Sequence, residues 1–325
     1  MNRRELIALT GGTVAWSLAA RAQQSRRIGV LMGLSQNDPE GQARIAAFRQ
    51  GLQDLKWAEG SNIRVDIRWG TGDAAAVRAN AAELVSLAPD VIVGSNTPPA
   101  RALKQATQTI PIVFVGVSDP VGDGLVTSLS NPGGNITGFS SFDAVMAGKW
   151  LQILKEIVPS LARVAVMFNP DTAPHSIFWP ALETAAPSVG VKLVRAIVHD
   201  KAGIESAIAA LAGDPTTGLV IIPDVFTAGH RVMIYALVAR HRVPTIYGPR
   251  YHADAGGLLA YGPDFVDEHR RAASYVNRIL KGERPAELPV QTPTKFEFVI
   301  NLKAAKALGI SIPVPLLGRA DEIIE

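Results

Sequence analysis

The chain contains no cysteine. This excludes disulfides, thiolate nucleophiles and cysteine-ligated metal sites. It also excludes a lipoprotein anchor, which needs a cysteine at the cleavage site. Aromatic residues are scarce, at 6% of the 325 residues, and charged residues make up only 19%. The formal net charge is +3, and +2 of it sits in the first 22 residues, where Arg3, Arg4 and Arg21 oppose Glu5. What is left is nearly neutral and has no long Lys/Arg stripe, so no nucleic-acid partner is expected. The six histidines, at 175, 199, 230, 241, 252 and 269, form neither H-x-x-x-H nor H-E-x-x-H, and no metal site is expected. The chain also lacks a G-x-S-x-G elbow and a G-x-G-x-x-G turn after a strand. No catalytic residue and no cofactor is therefore expected.

Residues 1–24 begin with the pair Arg3-Arg4, continue as a mainly apolar run from Leu6 to Ala20, and reach an A-x-A site at Ala20-Arg21-Ala22. This pattern is a signal peptide, cut after Ala22 to leave Gln23 first. Export to the periplasm is the expectation. The arginine pair fits a twin-arginine signal, and the Sec route stays open because Glu5-Leu6 is not the strongest form of that motif. The apolar run is too short to span a bilayer comfortably.

The remainder is 47% hydrophobic over the full count and longer than one compact core usually spans, so two lobes are expected. Short β-rich runs alternate with helical stretches. Strands are expected at 27–32, 63–69, 89–93 and 110–115, with helices between them, including one capped by Asp73. The pattern restarts with a helix at 143–158, then strands at 163–168, 192–196, 218–222 and 245–247. Such alternation implies βαβ units and parallel sheets. The halves also echo each other: Ile110-Pro111-Ile112-Val113-Phe114 returns as Val243-Pro244-Thr245-Ile246-Tyr247. The expected fold class is α/β, with two doubly wound, Rossmann-like lobes joined by a hinge. Residues 23–140 with about 256–284 would form the N-terminal lobe, and about 141–255 with 285–325 the C-terminal lobe.

Ligands of such sheets bind beyond the carboxyl ends of the strands, and facing lobes can close on them. The polar residues just past strand ends are therefore the candidates. They are Ser35 and Gln36, Ser95, Asn96 and Thr97, Ser118 and Asp119, Asn169 with Asp171 and Thr172, Asp224, and Tyr247. Each has a competing reading as a cap, a turn or a packed core group. Thr97 opens a helix whose free N–H groups would favour a carboxylate. Asp119 and Asp224 suit a cation, and Tyr247 suits a flat ligand's wall. Asn131–Gly138 is dense in turn formers and reads as a crossover loop.

Several segments together carry a family resemblance. They are Ser118-Asp119-Pro120-Val121, Asn135-Ile136-Thr137-Gly138, the run from Pro289 to Gly309 and the closing Ala320–Glu325. The chain resembles the ABC-transporter substrate-binding protein family that includes tryptophan/tyrosine-type periplasmic binding proteins. That resemblance implies a periplasmic-binding-protein-like type I fold. It also implies delivery of a small molecule to an inner-membrane ABC permease, with no chemistry done on it. Ser95, Asn96, Thr97, Ser118 and Asp119 carry over as ligand contacts, and some relatives bind aromatic amino acids. The missing anchor cysteine departs from anchored relatives and implies a freely diffusing protein, and a monomer is expected. A sensory protein presenting its ligand to a membrane receptor is the alternative.

Overall fold

The computed structural model describes residues 25–70, 73–141 and 145–325. The segment expected to be a signal peptide, and Asp143 as a helix start, lie outside the described residues. In chain order the first half comprises β1 (Arg26–Met32), α1 (Pro39–Asp54), β2 (Ile63–Trp69), α2 (Ala74–Ser86), β3 (Val91–Ser95), α3 (Thr97–Ala106), β4 (Ile112–Val117) and β5 (Ile136–Ser140). Next come α4 (Val145–Ile157), β6 (Arg163–Phe168), α5 (His175–Val189), β7 (Lys192–Ile197), α6 (Lys201–Ala209), β8 (Thr217–Ile221), α7 (Val225–Gly229), α8 (Arg231–His241), β9 (Thr245–Tyr247), α9 (Tyr251–Asp254) and β10 (Leu259–Pro263). The chain ends with α10 (Phe265–Leu280), β11 (Phe296–Asn301), α11 (Leu302–Leu308), α12 (Val314–Leu317) and β12 (Glu322–Ile324).

Local chemistry starts many of these helices where the sequence marks them. Asp38, Asp73, Asp200, Asp224, Asp264 and Asn301 each accept a first-turn N–H and cap a helix. Strands β1, β3, β4, β6 and β8 are almost wholly buried. That is what helices on both faces of a parallel sheet require.

The first sheet has the order β2-β1-β3-β4-β5, all parallel. The second runs β12-β11-β10-β9-β8-β6-β7 and is parallel except between β10 and β11. Its part β7-β6-β8-β9-β10 repeats the first sheet's order. The echoed segments 110–114 and 243–247 lead into equivalent strands, β4 and β9. The fold is therefore two copies of one doubly wound unit, the second extended by two strands.

Two details differ from the sequence reading. Asn131–Gly138 is not all crossover, because Ile136 opens β5. Gly138 lets β5 approach β4, since a Cβ there would lie 2.0 Å from the Phe114 carbonyl oxygen. The segment reads as a turn because its glycine serves strand contact rather than bending. Residues 256–284 also do not stay together. β10 belongs to the second sheet, while α10 returns to the first lobe and buries Ala272, Ala273, Val276 and Ile279 in its core. Leu288 and Val290 follow it there, before β11 crosses to the second sheet.

The return of α10 depends on its closeness to α1. A Cβ on Gly51 of α1 would stand 2.4 Å from the Arg270 carbonyl oxygen and 2.9 Å from the Ala273 Cβ. Gly51→Ala must push α10 away, and we expect a loss of roughly 1–3 kcal/mol. Gly229→Ala, where a Cβ meets nothing within 4 Å, is the control and should unfold like the parent. Urea melts of the two variants check this. An unchanged midpoint for Gly51→Ala would refute the packing argument.

Candidate functional site

The carboxyl ends of the two sheets face each other. The first lobe supplies Leu34 after β1, Asn96, Thr97 and Pro98 after β3, and Gly116 and Ser118 at β4. The second supplies Thr172 and Pro174 after β6, Pro223, Asp224 and Val225 after β8, and Pro249 and Tyr251 after β9. Arg44 of α1 and Phe265 of α10 complete an inner cleft, whose space of about 460 Å³ includes open solvent. An outer groove of about 1610 Å³ shares Leu34, Thr172 and Val225 with it and adds Ser35, Asp38, Asn169, Asp171, His199, His230 and Arg231.

Of the sequence candidates, Asn96, Thr97, Ser118, Thr172 and Asp224 come together on the inner cleft. Ser35 and Asn169 line only the outer groove. Four others turn elsewhere. Ser95 is fully buried and hydrogen-bonds the His269 ring at 3.0 Å. Asp119 accepts the Gly122 N–H at 2.7 Å and so fixes its own turn. Gln36 is exposed, and its carbonyl takes the Gln42 amide. Tyr247 is no cleft wall, because it is 1% exposed and stacked on His252 within the second lobe's core.

Asn96 holds φ +76 and ψ 168, a conformation rare for any residue but glycine. Its N–H donates to the Val115 carbonyl at 2.7 Å. The anion site expected at the start of α3 is narrower than the sequence implies. Pro98 and Pro99 carry no N–H, and the Ala100 N–H donates to the Asn96 carbonyl. Only the Thr97 N–H of that first turn remains.

Two charges face the cleft from opposite lobes. The Arg44 side chain is almost fully buried, donates to Glu40 at 2.8 Å and lies over the Phe265 ring, 4.4 Å from its centroid. Asp224 caps α7 through the Thr227 N–H at 2.7 Å and takes the Thr172 hydroxyl at 3.3 Å. Its Oδ2 is buried, with no hydrogen-bond partner among the described residues. Burial pushes its carboxyl up to about 6, against the opposing pull of the Thr227 N–H. An unpartnered buried carboxylate oxygen carries a desolvation cost that a cationic ligand group can remove.

Residues 28–324 match the family described as ABC transporter substrate binding protein. The chain belongs to that family. This substrate-binding protein is 27% identical over 263 residues to the tyrosine-binding protein of Clostridioides difficile, covering 81% of this chain and 75% of that one. It is similar to the crystal structure of a conserved domain protein from Vibrio cholerae, with 32% identity and a TM-score of 0.86 over 92% of this chain and 100% of that one. It also has the fold of an ABC domain from Streptococcus pneumoniae in complex with L-Trp, with 24% identity and a TM-score of 0.86 over 93% and 100% of the two chains. The family comprises substrate-binding proteins of ABC transporters, not enzymes. The architecture is the two-lobed type I periplasmic-binding fold.

Sequence reasoning missed Arg44, Tyr251 and Phe265. Tyr251 stands four residues past Tyr247, beyond the turn Gly248-Pro249-Arg250, and counting one turn further would have found it. Phe265 follows β10, a strand the sequence pattern leaves unassigned. Arg44 carries no signal at all, since an arginine within a helix is ordinarily exposed.

Behind the cleft wall, α10 buries two titratable neighbours, Glu268 and His269. The His269 Nδ1–H donates to the Phe265 carbonyl at 2.7 Å, so Nε2 accepts from the Ser95 hydroxyl. Burial, and then the charge of Arg44, pull its imidazole down to about 3, so it stays neutral. Glu268 is hydrogen-bonded to Ser141, and burial pushes its carboxyl up to about 8. The native state therefore holds the Glu268 proton after the unfolded chain has released it. The stabilisation is complete below the unfolded value of 4.5 and is lost as pH rises through about 8. Glu268→Gln should flatten that decline. Its melting temperature relative to the parent should be higher at pH 9 than at pH 5, and an equal difference at both would contradict the assignment.

Proposed function

We propose that this substrate-binding protein is the exported, periplasmic component of an ABC importer. It captures an amino acid or related zwitterion between its lobes and hands it to an inner-membrane permease. The reading rests on one observation: Asp224 of the second lobe and the Arg44 guanidinium of the first line the same inner cleft, and the buried Oδ2 of Asp224 has no hydrogen-bond partner among the described residues. A ligand ammonium supplies the partner that Asp224 lacks and draws it into the ionised form. The ligand carboxylate turns to the first lobe, toward Arg44, the Thr97 N–H and the Ser118 hydroxyl. Leu34, Pro249, Tyr251 and Phe265 leave an apolar and aromatic wall for a side chain. Two relatives, one tyrosine-binding and one holding L-Trp, support this ligand class. The signal pattern of residues 1–22 supports the compartment.

A thermal-shift screen of residues 23–325 against amino acids, amides, nucleosides, sugars and aromatic acids tests the ligand class. Micromolar capture corresponds to about 8 kcal/mol, and a ligand at a hundred times Kd adds about 2.7 kcal/mol of stability. Aromatic or branched amino acids should raise the melting temperature, and sugars should not. Asp224→Asn keeps the shape and removes the charge, and should weaken the amino acid that binds by roughly thirtyfold or more. Affinity should also fall by roughly tenfold from pH 8 to pH 5, because a carboxyl titrating at about 6 must ionise to hold an ammonium. An Asp224→Asn variant that binds like the parent ends the ammonium assignment.

A further inference from the structure

One charged pair crosses between the lobes outside the inner cleft. Asp38 ends the loop after β1 and caps α1 of the first lobe, its Oδ1 accepting the Glu40 N–H at 3.0 Å. Its other oxygen, Oδ2, accepts from Arg231 Nη1 at 2.7 Å. Arg231 is the first residue of α8 in the second lobe, and the same Nη1 donates to the Ala228 carbonyl at 2.8 Å. The two side chains are only 8% and 16% exposed. Arg231 also lies 5.7 Å from the centroid of the Tyr251 ring, and Arg44 of the first lobe lies 6.0 Å from it. Both members of the pair line the outer groove, through which the inner cleft continues past Leu34, Thr172 and Val225.

We infer that the Asp38–Arg231 pair is the clasp that holds the lobes shut and so sets how long a ligand stays. Separated lobes return both groups to water, where the pair contributes nothing, so its attraction belongs to the closed form alone. A pair this far removed from water is only weakly screened by salt. Because it forms after the lobes meet, it acts on release and not on first encounter. Arg231 is thus a positioning residue, fixing the edge of the Tyr251 wall while never lining the inner cleft. The clasp rests on the two-lobed capture reading for its ligand arm only.

The test exploits the absence of native cysteine. Gln53→Cys on α1 and Glu205→Cys on α6, both exposed positions on different lobes, carry a dye pair whose energy transfer reports lobe separation in single molecules. Asp38→Asn keeps the helix cap while removing the charge, and Arg231→Gln removes the other half. Each single variant should lower the closed fraction of the ligand-free protein by roughly tenfold. The double variant should do no more than either, as a shared interaction requires. With L-tyrosine as the probe, release should speed up by a similar factor while association stays unchanged. Ligand-free melting temperatures of the variants close to the parent's exclude a folding defect, and an Arg231 variant that melts early is replaced by Arg231→Met, which keeps the apolar stem without the charge. Variants that close as often as the parent, a parent that never closes, or effects that add in the double variant overturn the clasp. A parent that closes unaided, loses closure in the variants and ignores L-tyrosine and L-tryptophan keeps the clasp and defeats the amino-acid reading.

Discussion

A guanidinium with almost no exposure to water must be surrounded by groups that answer its charge. Arg44 is such a group, and much of the cleft is arranged around it. Glu40, one turn earlier on the same helix, neutralises it. Phe265 offers it a ring face at the start of α10, and Tyr251 of the second lobe stands on another side. Its field also reaches the buried neighbours: it helps keep His252 and His269 neutral and opposes the rise in the Glu268 carboxyl. One cation therefore ties the first lobe's α1 to the crossing helix and to the second lobe's wall. The opposing anion, Asp224, sits on the other lobe with one oxygen unanswered. Arg44 and Asp224 thus line one cleft from opposite lobes.

The parallel sheet explains why the gap lies where it does. Each βα turn delivers short polar segments and helix starts to one edge of the sheet. Duplicating the unit and turning the copies toward each other puts two such edges across one cleft. The chain then crosses between lobes after β5, after β10 and before β11, and α10 is locked onto α1 at Gly51. Several covalent crossings join the lobes while leaving each with its own core.

Much of the architecture was legible in the sequence because burial on both faces of a parallel strand forces an apolar run, and aspartates cap helices by local chemistry alone. The strand runs at 27–32, 63–69, 163–168 and 245–247 and the repeated Ile110–Phe114 segment needed no tertiary information. Five site candidates reached the cleft because topology puts every post-strand turn at the same edge. The sequence could not say which of those turns faced inward. Ser95 and Thr97 are two residues apart, yet one meets the buried His269 ring and the other the cleft. Asp119 and Asp224 share a residue type and a topological place, and each accepts the N–H three residues on, but only Asp224 lines the inner cleft. Gly138 read as a turn because a glycine's need for close approach depends on a neighbour 24 positions away, Phe114. What the sequence determined by itself was the duplicated βαβ pattern and the edge where the site must lie, since periodicity and capping are properties of adjacent residues. Only the tertiary structure decided that Arg44, Tyr251 and Phe265 join the site and Tyr247 does not, because those contacts are made by residues distant in the chain, and only packing brings them together.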